Sequence, residues 1–133
     1  MTKIIDGEGA IMGRLASYAA KEALKGEEIV ILNSEKVVIT GNRENIKADF
    51  EASRTRIGSG QKGPKVSRSP DKILKRVVRG MLPDHRKGRG KIALAKIKCY
   101  IGIPKEFQGL KKISGGKEVK GKFITIEELK KQQ

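Results

Sequence analysis

Aromatic rings are scarce in this chain: 133 residues hold two tyrosines, three phenylalanines and no tryptophan, and none of them lies between Arg54 and Lys91. Proteins that grip single strands by base stacking supply such rings as platforms, so that mode of binding is excluded for the stretch. Cys99 is the only cysteine and His85 the only histidine. Together they exclude an internal disulfide, a zinc-finger spacing and a metal centre, and no serine–histidine–acid pattern is offered for nucleophilic catalysis. No apolar run approaches the roughly 20 residues of a membrane span. The opening Met1-Thr2-Lys3-Ile4-Ile5-Asp6 lacks a signal peptide's apolar stretch. A cytoplasmic protein with no membrane partner is the expectation, and a lone cysteine agrees with a reducing compartment.

Negative charge is the other shortage. Fifteen acidic residues face 30 lysines and arginines, a net charge of +15. Such an imbalance works against folding through self-repulsion, and a polyanion offsets it, because neutralising phosphates releases condensed counterions. The bland alternative is a solvated basic surface. The charge is concentrated: Arg54, Arg56, Lys62, Lys65, Arg68, Lys72, Lys75, Arg76, Arg79, Arg86, Lys87, Arg89 and Lys91 stand against only Asp71 and Asp84, so this stretch carries +11 of the total. Clustering of this kind is the footprint of a nucleic-acid surface. Arginine forks, lysine ammoniums and glycine-rich backbone suit phosphate oxygens and sugar hydroxyls, so the expected target is folded RNA, read by backbone and shape. His85, between Asp84 and Arg86, is read as an RNA contact or a solvated side chain rather than a general base.

Gly58-Ser59-Gly60-Gln61-Lys62-Gly63 spells the dinucleotide fingerprint G-x-G-x-x-G. It follows a predicted helix and runs into Pro64, where the fingerprint needs a preceding strand and a following helix. Pro64 also stands where a Walker loop places its lysine. The segment is therefore read as a phosphate-contacting loop, with no cofactor and no small-molecule substrate.

The length suits one domain over 1–133, and a hydrophobic fraction of 37% is enough to build a core. Lys3 to Asp6 reads as a strand, and Met12 to Lys25 as an alanine-rich helix ended by Gly26. Ile29-Val30-Ile31-Leu32 and Val37-Val38-Ile39 are continuous apolar runs, the pattern of strands covered on both faces in a parallel sheet. Asn42 is placed to cap a helix reaching about Arg56, with Ile46, Phe50, Ser53 and Ile57 at helical spacing. Gly58 to Arg68 reads as an extended loop. The best-specified helix follows: Ser69 as cap, Pro70 at its first position, Asp71 at the positive end of the dipole and Pro83 as its stop. Ile73, Leu74, Val77, Val78, Met81 and Leu82 share one face, and Lys72, Lys75, Arg76 and Arg79 the opposite one. Asp84 to Gly90 is a basic loop, Lys91 to Ile97 a helix in preference to a strand, and Lys98 to Ile101 a strand holding a buried Cys99. A lysine-rich extension begins at about residue 105 and ends in a short helix, Glu127 to Lys131. The paired acids Glu27-Glu28 and Glu127-Glu128 read as solvated element ends.

Three stretches resemble the universal large-subunit ribosomal protein L-thirteen family in its archaeal form. Ile5-Asp6 with Met12-Gly13-Arg14-Leu15-Ala16 is similar to the family's opening motif, and Val38-Ile39-Thr40-Gly41 to its strand-ending Thr-Gly. Ser69-Pro70 through Val78-Arg79-Gly80-Met81-Leu82-Pro83, then Arg89-Gly90, Ala93-Leu94 and Gly102-Ile103-Pro104, is similar to its central signature. Met12, for the commoner leucine, and Asp84, beside His85, depart from it. The resemblance covers roughly Ile4 to Pro104. It implies an α/β fold, a three-layer α/β/α sandwich on a small, mainly parallel sheet with basic loop extensions. It also implies a non-catalytic part of the large ribosomal subunit, bound to large-subunit ribosomal RNA beside neighbouring large-subunit ribosomal proteins, used in early assembly and needing no cofactor. Arg14 and Arg79 are the positions it assigns to RNA contact or motif geometry. Gly80 is assigned either close backbone approach or plain packing. A free-standing RNA-binding regulator or chaperone, and a nucleotide-dependent enzyme, are the competing classes.

Overall fold

A computed structural model describes residues 2–55, 69–109, 113–114 and 121–130. In chain order the elements are β1 (Thr2–Asp6), α1 (Met12–Leu24), β2 (Glu28–Leu32), a 3-10 turn (Ser34–Lys36), β3 (Val38–Thr40) and α2 (Arg43–Thr55). There follow α3 (Pro70–Gly80), α4 (Gly88–Ala95), β4 (Ile97–Cys99), a second 3-10 turn (Lys105–Phe107), β5 (Ile113–Ser114), β6 (Phe123–Thr125) and α5 (Ile126–Lys130).

Four strands form one sheet in the order β4-β2-β1-β5, all parallel. Two steps, β1 to β2 and β2 to β4, move in the same direction across it. Parallel crossovers are right-handed, so both place their helices on one face. Side chains alternate along a strand, which puts Ile5, Ile29, Ile31 and Ile97 under those helices. They pack with Leu15, Ala16, Ala19, Ala20 and Ala23 of α1, Ile73, Leu74 and Val78 of α3, and Ala93 of α4. The alanines let α1 lie close to the sheet, and Leu74, fully buried, contributes about 1.5–3 kcal/mol through lost apolar surface. The step from β4 back to β5 reverses direction and crosses the other face, where Tyr100 and Phe107 lie. The α/β class and the mainly parallel sheet are as expected; on the second face the covering segment among the described residues carries the Lys105–Phe107 turn.

Several elements differ from the sequence reading. The strand β3 does not join the parallel sheet. It pairs antiparallel with β6, Ile39 opposite Ile124, and only a single bridge, Ile11 to Val38, ties it towards β1. Ile124 and Ile126, from the lysine-rich end of the chain, are fully buried. Helix α4 starts at Gly88, inside the expected loop, so Arg89 is helical along with Lys91. Strand β4 begins at Ile97 and ends at Cys99. The Tyr100 N–H still donates to the Ile31 carbonyl at 2.9 Å, but the Ser34 N–H then takes the Tyr100 carbonyl and the chain turns at Gly102, φ 68°, so Ile101 is left exposed. Helix α3 ends at Gly80, short of Pro83, and Met81 occupies the cap, where the helical wheel no longer governs; it is 44% exposed.

Caps divide in the same way. Asn42 caps α2 as expected, its Oδ1 accepting from the Glu44 N–H at 2.9 Å. Ser69 does not cap α3 with its side chain; its hydroxyl donates to Asp71, and its carbonyl accepts the Ile73 N–H at 2.9 Å. Ile46 and Phe50 are half-buried on α2, and Phe50 packs on the core. Ile57 and the loop from Gly58 to Arg68 lie outside the described residues.

Candidate nucleic-acid interface

The basic face of α3 follows from the way its apolar face is used. Ile73, Leu74 and Val78 are buried and Val77 half-buried, which fixes the roll of the helix. Lys72 and Arg76 are then exposed, and Lys75 and Arg79 half-buried. The four lie within about 100° of one another on the wheel, at 100° per residue.

The chain after α3 turns sharply and returns as α4, and one glycine permits it. A Cβ built on Gly90 would sit 2.2 Å from the Pro83 carbonyl oxygen and 2.4 Å from that of Asp84, so the start of α4 rests directly on the backbone of the turn. Arg89 and Lys91 flank that contact, and both are exposed, as are Arg86 and Lys87 in the turn. His85 is half-buried. The Asp84 carboxylate is occupied locally: its Oδ1 accepts the Arg86 N–H at 3.0 Å. Gly80 has open space where a Cβ would go. Close approach within the protein is found at Gly90, and the signal available for it was the Arg89-Gly90 pair beside the Leu82-Pro83 turn.

The ion pairs seen among the described residues involve other cations. Glu22 holds Lys3 at 2.8 Å and Lys25 at 3.5 Å, and Glu128 holds Arg43. The hydrogen bond from Lys3 holds the Glu22 carboxyl below the usual carboxylate range, against its desolvation, and raises Lys3 in turn. Among the described residues, none of Arg14, Lys72, Lys75, Arg76, Arg79, Arg86, Lys87, Arg89 and Lys91 is in an ion pair. Cations without an ion-pair partner are those at which phosphates displace only water and counterions.

The structure brings together Lys72, Lys75, Arg76 and Arg79 on one helical face; Arg86 and Lys87 follow in the turn, and Arg89 and Lys91 in α4. Arg14 is exposed in the first turn of α1, a helix that packs against both α3 and α4. Arg54 lies on α2; Arg56, Lys62, Lys65 and Arg68 lie outside the described residues. At the C-terminal ends of β1 and β2, Asp6 accepts from the Asn33 side chain at 2.9 Å and from the Glu8 N–H at 3.0 Å. Asp6 in the opening motif is therefore a fastener between strands: Asn33 stands at φ 56°, a left-handed conformation that asparagine tolerates.

Burial pushes the Cys99 thiol up to about 12, with Lys75 and Asp71 pulling in opposite directions, so it is no nucleophile. Among the described residues no group of histidine, cysteine and acid side chains could hold a metal ion. No described helix is long and apolar enough to cross a membrane. Fold and surface together define a small α/β protein with a basic face on α3.

Residues 1–106 match the family described as Ribosomal protein L13. The chain is 42% identical to the large ribosomal subunit protein uL13 of Methanococcoides burtonii, covering 97% of this chain and 95% of that protein. It is 47% identical to the uL13 of Methanocaldococcus jannaschii, over 96% and 94% of the two chains. With the uL13 of Methanococcus maripaludis it shares 50% identity over 76% and 75%. The chain belongs to the ribosomal protein L13 family, and these three relatives are archaeal, as the resemblance implied.

Proposed function

We propose that this chain is a structural constituent of the archaeal large ribosomal subunit, resident in the cytoplasm, that binds large-subunit ribosomal RNA through phosphate and shape contacts and supports subunit assembly. The observation that carries it is the basic face of α3 set opposite a buried apolar face. Lys72, Lys75, Arg76 and Arg79 meet the RNA backbone along one helix, and His85, Arg86, Lys87, Arg89 and Lys91 extend the contact around the turn. Arg14 supplies a further contact from α1, and Arg54, Arg56, Lys62, Lys65 and Arg68 add charge for further phosphate contacts. The whole of 1–133 acts as one ribosomal-protein domain. Neighbouring large-subunit proteins, and no cofactor or small-molecule substrate, complete its partners.

Co-sedimentation tests the reading. The protein is expected chiefly with large subunits after a moderate-salt wash. A pool found mostly free would overturn it in favour of a free-standing RNA regulator.

A further inference from the structure

The second face of the sheet is chemically unlike the basic face. A cleft of about 320 Å³ opens there between the starts of β1, β2 and β4 and the returning chain. Its wall includes Tyr100 and Phe107, whose ring centroids lie 5.4 Å apart. Two carboxylates, Glu28 and Glu106, and two ammoniums, Lys96 and Lys98, also line it. The formal charge of the cleft is zero in a chain of +15. Neither carboxylate is in an ion pair among the described residues; Glu28 accepts only the Thr2 hydroxyl at 3.1 Å. Lys96 is committed to the Gly26 carbonyl oxygen at 3.2 Å. What remains outside any ion pair among the described residues is two carboxylates and Lys98, beside a pair of rings.

Phosphate fits poorly between two carboxylates. A guanidinium fits well: it is planar, stacks on aromatic faces and forks to a carboxylate with two parallel hydrogen bonds. We propose that this cleft docks an arginine-bearing extended segment of another protein, the guanidinium stacking on the Tyr100–Phe107 pair and bonding Glu28 or Glu106. The volume, at the small end of ligand sites at roughly 300–1,000 Å³, suits one such side chain and its flanking backbone. The inference rests on the protein-neighbour part of the function proposed above and gives it a surface, on the face of the sheet away from α3. RNA on one face and protein on the other is the resulting division of the molecule.

Amide spectra of the full chain test it, with three probes: a short peptide alternating glycine and arginine, its lysine counterpart, and an oligouridine RNA. The arginine peptide is expected to shift the amides of Thr2, Glu28, Lys98, Tyr100 and Phe107 saturably and more tightly than the lysine peptide. The double variant Glu28→Gln, Glu106→Gln should weaken it by about tenfold, the loss expected for one charge-assisted hydrogen bond. The exposed glutamines preserve shape, and an unchanged unfolding midpoint shows that the variant is folded. Undisturbed cleft amides, equal binding by the double variant, or RNA as the probe that shifts the cleft would each overturn the proposal. RNA failing to shift the α3 amides counts against the RNA reading alone.

Discussion

Replacing Gly90 by alanine places a methyl group where the structure has backbone. The new Cβ would lie 2.2 Å from the Pro83 oxygen, 2.4 Å from the Asp84 oxygen and 2.8 Å from the Pro83 carbonyl carbon, each well inside van der Waals contact. None of these atoms can rotate away as a side chain would, so α4 must lift or the turn must deform. Overpacking costs typically 1–3 kcal/mol, and the rigidity of the obstacle puts this case near the upper end, about 3 kcal/mol. Alanine returns about 1 kcal/mol of helix propensity. The net loss is about 2 kcal/mol, a fall in melting temperature of about 6–8 °C for a chain of this size. Gly80→Ala is the control: nothing lies within 4 Å of its Cβ, and it should be neutral or stabilising. Paired urea titrations of the two variants measure both. A Gly90→Ala protein as stable as the parent would refute the close packing of α4 on the turn, and with it the placement of Arg89 and Lys91.

Three further outcomes follow from local chemistry. Because its folded carboxyl lies below the unfolded value, Glu22 contributes stability that is present above the usual carboxylate range and lost as pH falls through the folded value. Unfolding free energy measured from pH 6 to 3 should therefore fall more steeply for the parent than for Glu22→Gln, and parallel curves would contradict this. With its thiol at about 12, native Cys99 should resist alkylation at pH 8 and react readily once the chain is denatured; equal rates would show that it is not shielded. Asn33→Ala forces a non-glycine residue into the left-handed region and strips Asp6 of one donor, a loss of about 1–3 kcal/mol, whereas Asn33→Gly should recover the part due to the backbone, as melting curves would show.

Local signals were legible in the sequence where structure is decided locally. The period of Leu15, Ala16, Ala19 and Ala23 marks α1, Pro70 and Asp71 mark the start of α3, and the unbroken run Ile29 to Leu32 marks the central strand, covered on both faces. The basic face of α3 came with its apolar one. What was not legible depends on distant partners. Val38 and Ile39 look like another parallel strand, but their mate is β6, some eighty-five residues on, and nothing in either run announces the pairing. Gly88-Arg89-Gly90 reads as loop because glycine disfavours helix by about 1 kcal/mol per residue; the turn at Pro83-Asp84 overrides that by requiring a residue without a side chain. The hydroxyl of Ser69 could accept a helix N–H or donate to a carboxylate, and the nearby Asp71 takes it as a donor.

The central claim is that the cations of α3 bind RNA phosphates and do not hold the fold together. The most direct measurement is the salt dependence of binding to a large-subunit ribosomal RNA fragment, for the parent and for Arg76→Ala, Arg79→Ala. Each neutralised phosphate contributes a log-log slope of about −0.7 to −0.9, so the double variant should bind more weakly with a slope shallower by about 1.4–1.8, at an unchanged melting temperature. An identical slope, or a large loss of thermal stability, would contradict the account.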